Sequence, residues 1–357
     1  MIFLLYSFLF FIVGFLFSNQ ANPKKGSFVF LFLAIVLFWG LSYYEAADTP
    51  GYIDKYNFDI QAFPGYVDGQ FEIGYTLLAM VFKTLKLDYW VFQFVVFAIE
   101  IVLIINGLRK FYDDKVMMCI LPLLFFIYPS DLAAFRQGIA ISIFIFALHY
   151  IYDENPKRSL RYFLWIFFAS FFHQSAVFLI LVYFARFGKR LLSHNWLLLS
   201  ILIIGDIIWM TGGSLISQLD FLIPFFRGEA LDMGDKYADI IEGENTDIYG
   251  IAKVLEMNVT VIVYTLFCKK DKDNELMRFN LLIYVFIGLV LGGMLAHRLN
   301  YYWTLLYYVC FIRGIMSFFK RFEQPSGAYL LIAAYMFWFF IIKSGYIERP
   351  YVFLFGF

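Results

Sequence analysis

The sequence predicts an all-α, polytopic integral membrane protein with about 10–12 membrane helices, some of them short or re-entrant. The first observation is composition, since 62% of the 357 residues are hydrophobic and only 16% are charged. The second is that nearly uncharged apolar runs recur along the whole chain. A helix that is apolar on all sides must be buried in protein or in lipid. We therefore expect a single transmembrane domain over residues 1–357.

The remaining composition excludes several classes of protein. Net charge is zero and no part of the chain forms a basic domain, so we expect no nucleic-acid partner. Three cysteines fall inside apolar runs and indicate no disulfide framework. With only four histidines, the chain offers no zinc set, and it contains no Walker loop or dinucleotide fingerprint. We expect neither a metal nor a cofactor.

The predicted elements are the apolar runs themselves. The first lacks a basic segment and a cleavage site, so we expect a retained span and not a signal peptide. Lysine and arginine in short loops mark the cytoplasmic side, and six basic clusters separate the runs. In chain order the runs are 2–17, 28–44, 73–82, 90–105, 116–128, 137–152, 162–185, 196–210, 251–268, 279–295, 301–315 and 328–342.

All six basic clusters fall on one side only if two of these runs fail to cross. The run 73–82 would be a helix of about 15 Å, too short for a hydrocarbon core of about 30 Å. The run 162–185 must be divided at His173 into two half-length helices that return to the same side. This topology puts the N-terminus outside, together with two acidic outer loops at 45–72 and 211–250.

Glu72 is the first candidate for chemistry, in the motif FEIGY. A carboxylate at the mouth of a short membrane-dipping helix lies in a partly dry cleft and suits a general base. A structural role is equally open, because an acid at a helix N-terminus is favoured by the helix dipole.

The first outer loop carries further candidates for substrate binding. Asp48 and Asp54 lie in DTPGYIDKY, and tyrosines are interleaved with the acids. Carboxylates accept hydrogen bonds from sugar hydroxyls, and aromatic rings stack on sugar faces. The alternative is a solvated loop whose tyrosines form an interfacial aromatic belt.

Arg136 and Gln137 open the apolar run that follows YPSD. An arginine at a helix N-terminus suits a diphosphate, because its guanidinium fork adds to the free N–H groups and the helix dipole. The alternative is a structural ion pair, for which Asp131 is the nearest candidate. A charge within the membrane is costly, which favours the functional interpretation.

His173 interrupts its apolar run in FFHQSA, and His297 and Arg298 stand at a predicted outer helix end. His173 is a candidate proton shuttle or phosphate ligand, or else a cap at a helix break. Arg298 is a candidate for a second phosphate contact. We expect Arg136 and His173 to belong to one site near a membrane face.

In their order and separation these motifs resemble the EpsG family, the Wzy-type polymerases of bacterial O-antigen and exopolysaccharide. The resemblance extends over most of the chain, although the acidic loop 211–250 has no counterpart in it. The matching residues are Asp48, Asp54, Tyr56, Glu72, Gly74, Tyr75, Arg136, Gln137, Ile139, Ala140, His173, Ser175 and Ala176.

The resemblance implies a GT-C-like membrane glycosyltransferase in the bacterial cytoplasmic (inner) membrane, with its active site facing the exterior or periplasm. The implied donor and acceptor are oligosaccharide repeat units linked to polyprenyl (undecaprenyl) diphosphate. Further implied partners are membrane lipids and the chain-length regulator and flippase of the same lipopolysaccharide or exopolysaccharide pathway.

This chemistry needs a base for the attacking hydroxyl and positive charge for the leaving diphosphate. We expect the base to be Glu72, Asp54 or His173, in that order of preference. Arg136 and Arg298 would hold the diphosphate. Asp48, Gln137 and the tyrosines Tyr56, Tyr66 and Tyr75 would bind the sugar chain.

Two other functions remain open at the level of sequence. A flippase or transporter for the same lipid-linked sugar would use the same charges, but both helix interruptions lie in the first half of the chain, unlike the paired breaks of repeat-built transporters. A membrane O-acyltransferase would explain His173 and leave the arginines unexplained.

Overall fold

The structure, a computed structural model, describes residues 12, 16, 25–43, 49–63, 65, 71–127, 135–151, 155–187, 195–211, 251–268, 272–291, 293–322, 327–328, 331–332, 334–335 and 352–353. Within them the predicted all-α class is confirmed, apart from one antiparallel pair of two-residue strands. The α-helices are α1 Lys25–Gly40, α2 Thr49–Asp54, α3 Ile73–Thr84, α4 Tyr89–Leu108, α5 Asp114–Ile127, α6 Phe135–Ala147, α7 Pro156–Ser159, α8 Arg161–Ser170, α9 Asn195–Met210, α10 Ile251–Phe267, α11 Lys272–Val285 and α12 Gly293–Arg321; the strands are β1 Ser42–Tyr43 and β2 Val352–Phe353.

Four helical segments of other types continue or follow these helices. Two are π-helical, Lys55–Asp59 after α2 and Phe286–Leu291 after α11. Two are 3-10 helices, Leu148–Tyr150 after α6 and Gln174–Arg186 after α8. The sequence predicted an interruption at His173, and the structure has it, although the segment that follows is a 3-10 helix and not the expected α-helix. The run predicted as helical over 28–44 ends earlier, because α1 stops at Gly40 and the chain turns into β1.

The chain divides into two compact units, of which the first comprises Met1–Ala176 and Gln324–Phe357. In this unit α4 packs against α1 and α6, and α6 packs against α8. Asp88 begins α4 by accepting a hydrogen bond from the backbone N–H of Val91 at 2.9 Å, an ordinary N-cap. Helices α4 and α6 approach closely at Gly107, where a Cβ atom would lie 2.5 Å from the carbonyl oxygen of Ile145.

The second unit comprises Val177–Glu323 and is built on α12. Helices α10 and α11 both pack against α12, and α9 packs against α10 and the π-helical segment after α11. Thr260 of α10 contacts Tyr307 of α12, and two to three turns later Cys268, just after α10, contacts Ser317 of α12. Because both residue numbers rise together, α10 and α12 run parallel.

Two helices among the described residues are long and apolar enough to cross a bilayer, Tyr89–Leu108 and Leu299–Arg321. Six further apolar helices there have 10–17 residues. Several helices bury one apolar face and expose another. On α10 the exposed stripe consists of Leu255, Val259, Ile262 and Leu266, each 40–59% exposed.

Candidate active site

Four distant parts of the first unit converge where α3 begins. They are α2, residues 71–74, the start of α6, and the break between α8 and the 3-10 helix. The backbone N–H of Gly74 donates to the carbonyl oxygen of Phe171 at 2.8 Å. The backbone N–H of Gln174 approaches Oε1 of Glu72 at 3.4 Å, across 102 residues of sequence. The motifs FEIGY and FFHQSA are therefore neighbours in the fold.

Arg136 lies at the centre of this region and is held from three directions. Its Nη1 donates to Oε2 of Glu72 in a short ion pair, and its Nε donates to the hydroxyl of Tyr52 at 3.0 Å. Its guanidinium carbon lies 4.4 Å from the centre of the Phe71 ring, a cation–π distance. Because a guanidinium is a planar fork, these contacts fix both its position and its plane.

The ion pair is largely but not completely buried. The side chain of Arg136 is 11% exposed and that of Glu72 is 14% exposed. Charges this far from water attract one another more strongly than surface charges do, and salt screens them less. The residual exposure leaves an approach for an anion or a hydroxyl group.

Aromatic rings form the wall behind Arg136. Tyr52 and Phe71 are stacked, with ring centres 5.4 Å apart and planes 23° apart. Tyr75 meets the edge of Phe71 at 5.1 Å, and Phe135 lies 5.9 Å from Tyr52. This apolar wall lowers the local dielectric constant, which increases the effect of the arginine charge on a bound ligand.

His173 lies in the break itself, next to the residue whose N–H approaches Glu72. Its Nδ1 and the hydroxyl of Ser175 are 2.7 Å apart, and the tautomer of the ring decides which group donates. Its backbone carbonyl accepts from the N–H of Ala176 at 3.0 Å, which begins the 3-10 helix. The ring is therefore oriented by a hydroxyl while its backbone caps the turn.

Gly74 allows the two breaks to meet. A Cβ atom there would lie 2.7 Å from the carbonyl oxygen of Phe171 and 2.9 Å from its carbonyl carbon. Any larger residue would push the start of α3 away from the chain that carries His173, so the glycine is required by close backbone approach.

The other residues predicted for this site are distributed differently. Asp54 is exposed on α2, two residues from Tyr52 and so on another side of that helix. Tyr56 is 1% exposed, and its hydroxyl donates to the carbonyl of Leu87 at 2.8 Å. Burial, with a smaller effect of the nearby Asp88 charge, raises the pKa of Tyr56 to about 12. Tyr56 thus stays a protonated donor at physiological pH.

Tyr75 and Gln137 are also buried, at 0% and 6% exposure. Tyr75 packs within the aromatic wall, and Gln137 follows Arg136 in the first turn of α6. Asp48, Asp131 and Tyr66 lie outside the described residues, as does the outer loop 212–250. The backbone of Arg298 belongs to α12 in the second unit, and its side chain is outside the described part.

Sequence reasoning missed Tyr52 and Phe71 as partners of Arg136. A signal for Tyr52 was present: Thr-Pro before Gly-Tyr-Ile-Asp is a helix start, since proline is favoured in the first turn. As a helix, this segment puts Tyr52 and Tyr56 on one face and Asp54 on another. No local pattern indicated that Phe71 would stack on a guanidinium.

Chemically, the site combines a fixed cation and a carboxylate beside an aromatic wall, and the chain segment that carries His173 adjoins it. Arginine suits an anionic leaving group, and a carboxylate or an imidazole accepts a proton. Among the described residues no group of three or more His, Cys, Asp or Glu side chains is placed to hold a metal ion.

One comparison with known proteins gives a match. The model of the EpsG family matches residues 25–352, which include every described residue of this site. No curated protein and no solved structure matches the chain significantly.

Proposed function

This chain belongs to the EpsG family of Wzy-type polysaccharide polymerase-like proteins, and we propose that it polymerises lipid-linked oligosaccharide repeat units by glycosyl transfer. The observation that carries the proposal is the Arg136–Glu72 ion pair at the start of α3, where the backbone N–H of Gln174, the residue after His173, approaches Glu72. It brings together a cation for a leaving diphosphate and a base for an attacking hydroxyl.

A polytopic membrane setting is part of the proposal. Exposed apolar stripes such as the one on α10 are rare on the surface of soluble proteins and suit contact with lipid. The span-length helices Tyr89–Leu108 and Leu299–Arg321 and the family support the same setting. We place the site on the outer face of the cytoplasmic membrane, as the distribution of basic clusters predicts.

The proposed reaction forms one glycosidic bond and breaks another. A sugar hydroxyl of the acceptor attacks the anomeric carbon of the donor, and the bond from that carbon to the diphosphate oxygen breaks. The leaving polyprenyl diphosphate keeps the bonding electron pair, and the hydroxyl proton passes to a base on the protein. Donor and acceptor are both repeat units on polyprenyl diphosphate.

We assign the diphosphate contact to Arg136 and the base to Glu72. Asp54 and His173 are the next candidates for the base, and Asp48 and Tyr66 are proposed to bind the sugar chain. Tyr56, Tyr75 and Gln137 were predicted for the same role, but they are buried and we propose that they support the site without touching the sugar. The contacts of Arg136 support its role. Tyr52 and Phe71 hold the plane of its guanidinium group, and its Nη1 faces the carboxylate of Glu72, which is an anion.

The ion pair also supports an order of events. Glu72 occupies Arg136 in the described conformation, so a diphosphate that binds Arg136 must displace the carboxylate. The displaced Glu72 then has an oxygen available for the acceptor proton. Donor binding would thus create the base, and hydroxyl activation would wait until a leaving group is in position.

The direct test is synthesis of polymer by the purified protein in liposomes with a synthetic polyprenyl-diphosphate repeat unit. We expect a ladder of products from the wild type and none from Arg136→Ala. The control is Arg109→Ala, since Arg109 is an exposed arginine of the same unit paired with Asp114 at 2.9 Å.

A full ladder from Arg136→Ala would overturn the assigned role of Arg136. If the wild type moved single repeat units across the bilayer without joining them, the protein would be a flippase instead. Transfer of an acyl group to the sugar would indicate the O-acyltransferase.

A further inference from the structure

The ring of Phe71 carries a second cation besides Arg136. Nζ of Lys55 lies 4.0 Å from the centre of this ring, and the guanidinium carbon of Arg136 lies 4.4 Å from the same point. Both are cation–π distances. Because both are measured to one ring centre, the ammonium group and the guanidinium carbon can be no further apart than these two distances added together.

Lys55 reaches the ring because of its position after α2. Tyr52 belongs to α2, and Lys55 follows three residues later, at the start of the π-helical segment Lys55–Asp59. Residues three apart on a helix are neighbours on its surface. Both side chains accordingly contact Phe71, Tyr52 by stacking at 5.4 Å and Lys55 through its ammonium group. One stretch of chain therefore supplies both a hydroxyl for Arg136 and a further charge beside it.

This group of side chains is accessible to a ligand. Lys55 and Phe71 are each partly exposed, and the side chain of Arg136 is 11% exposed. The separation of the two cations is within the distance over which charges still act on one another at physiological salt, about 8–10 Å. An anion that binds Arg136 is therefore also attracted by Lys55.

The charge of the ion pair favours a second cation at this place. Arg136 and Glu72 together carry no net charge, whereas a diphosphate carries negative charge on each of its two phosphate groups. A diphosphate that displaces Glu72 from Arg136 leaves the carboxylate nearby, where the two anions repel one another. Lys55 makes the net charge of the three side chains positive and so offsets this repulsion.

The spacing of the two cations suits a diphosphate. A hydrogen bond from a cationic nitrogen to a phosphate oxygen is about 2.8 Å long. Two such bonds cover most of the greatest separation that the ring distances allow, and oxygens on adjacent phosphate groups bridge the rest. The guanidinium fork can hold one phosphate group through two N–H groups, while the ammonium group acts as a point charge on the other.

We propose that Lys55 is a second contact for the diphosphate of the donor and holds the phosphate group that Arg136 does not. The inference rests on the proposed function and deepens it, because it gives the site a means to select a lipid diphosphate over a lipid monophosphate. During the reaction the ammonium group stabilises the negative charge that develops on the leaving diphosphate. Lys55 transfers no proton.

The test is direct binding of two lipids to the full-length protein in detergent, a fluorescent polyprenyl diphosphate and the matching polyprenyl monophosphate. The variant Lys55→Met removes the charge and keeps an unbranched side chain whose sulfur can pack on Phe71, so it should fold. We expect the wild type to prefer the diphosphate and Lys55→Met to lower this preference at least tenfold. Binding of the monophosphate should change less than twofold, because Arg136 alone holds it.

Lys83→Met is the matched control. Lys83 also lies over a ring, with Nζ 5.4 Å from the centre of Tyr56, and it donates to the carbonyl oxygen of Asn57 at 2.8 Å. It therefore connects the segment after α2 to α3 by the same kind of contact, and Lys83→Met should leave the ratio of the two dissociation constants unchanged. Lys55→Arg should retain most of the preference, because it keeps the positive charge.

The ratio distinguishes a ligand contact from a structural role. If Lys55→Met weakened the binding of both lipids equally, Lys55 would only hold Phe71 in place and the proposal would be wrong. An unchanged preference in Lys55→Met, or a wild type that binds both lipids equally or neither, would also overturn it.

This inference and the proposed function fail in different ways. A wild-type ladder together with an unchanged lipid preference in Lys55→Met removes the second contact and leaves the polymerase. A preference that depends on Lys55, in a protein that makes no ladder, leaves the contact and removes the polymerase.

Discussion

Arg136 and Glu72, 64 residues apart in sequence, form an ion pair between the starts of α3 and α6. Glu72 immediately precedes α3, and its other oxygen faces the backbone N–H of Gln174 in the break after α8. Each side chain is thus occupied by the other, and the ion pair must open before either can act on a ligand. This arrangement leads to most of the predictions below.

Arg136→Lys should reduce polymer synthesis about 10–100-fold without abolishing it, because a single ammonium replaces a fork that reaches Glu72 and Tyr52 together. The measurement is the initial rate of ladder formation from a synthetic donor, with Arg109→Lys as the control. Equal rates in Arg136→Lys and the wild type would show that only charge matters at this position.

Glu72→Gln should separate donor binding from turnover. Removing the carboxylate removes the anion that competes for Arg136, so the dissociation constant for a polyprenyl diphosphate should fall several-fold. The rate of polymerisation should nevertheless fall about 100–10,000-fold, because a general base is lost. Fluorescent donor binding and single-turnover kinetics on the same preparation measure the two effects. Weaker donor binding would contradict displacement of Glu72 by the diphosphate.

Tyr52→Phe should lower polymerisation about 10–100-fold, the usual effect of losing one hydrogen bond to a charged group. The ring and its stacking on Phe71 remain, so the protein should fold normally. Tyr112→Phe is a suitable control, because it removes a buried tyrosine hydroxyl beyond the far end of α4. The measurement is kcat and KM for the donor, each determined separately. If both are unchanged in Tyr52→Phe, this hydroxyl does not position Arg136.

Gly74→Ala should inactivate the protein and destabilise it by about 1–3 kcal/mol, as overpacking does. Its Cβ would overlap the Phe171 carbonyl, whereas a Cβ at Gly51 in α2 meets nothing within 4 Å. Gly51→Ala should therefore be neutral or slightly stabilising, because alanine favours a helix. Thermal unfolding in detergent and the ladder assay compare the pair. Equal unfolding temperatures and equal polymer synthesis in the two variants would mean that the close contact at Phe171 contributes to neither stability nor activity.

Much of the site could be predicted because intramembrane charge is costly and therefore informative. This argument selected Arg136 and His173, whereas Glu72 was selected as an acid at the mouth of a short helix. The structure brings the three chain segments together. The positions of basic loops also identified the break at His173. The helical class followed from the apolar runs alone.

The partners of these residues could not be predicted, because they depend on how distant segments pack. Asp131 was the nearest acid to Arg136 in sequence, yet the described ion pair is with Glu72. Lys253 and Glu256, three residues apart on a helix, have the spacing of an ordinary surface ion pair. Tyrosines of α12 contact that buried pair, and nothing in the sequence of α10 indicates this.

The short contact between Gly74 and Phe171 has one more consequence. It joins two segments that each lack the length of a full membrane span, and it does so through backbone atoms alone. A backbone hydrogen bond is indifferent to most side-chain changes, so the side chains around it can change without loosening the junction. The frame that holds Glu72 at the start of α3 can therefore stay constant while the side chains around it are replaced.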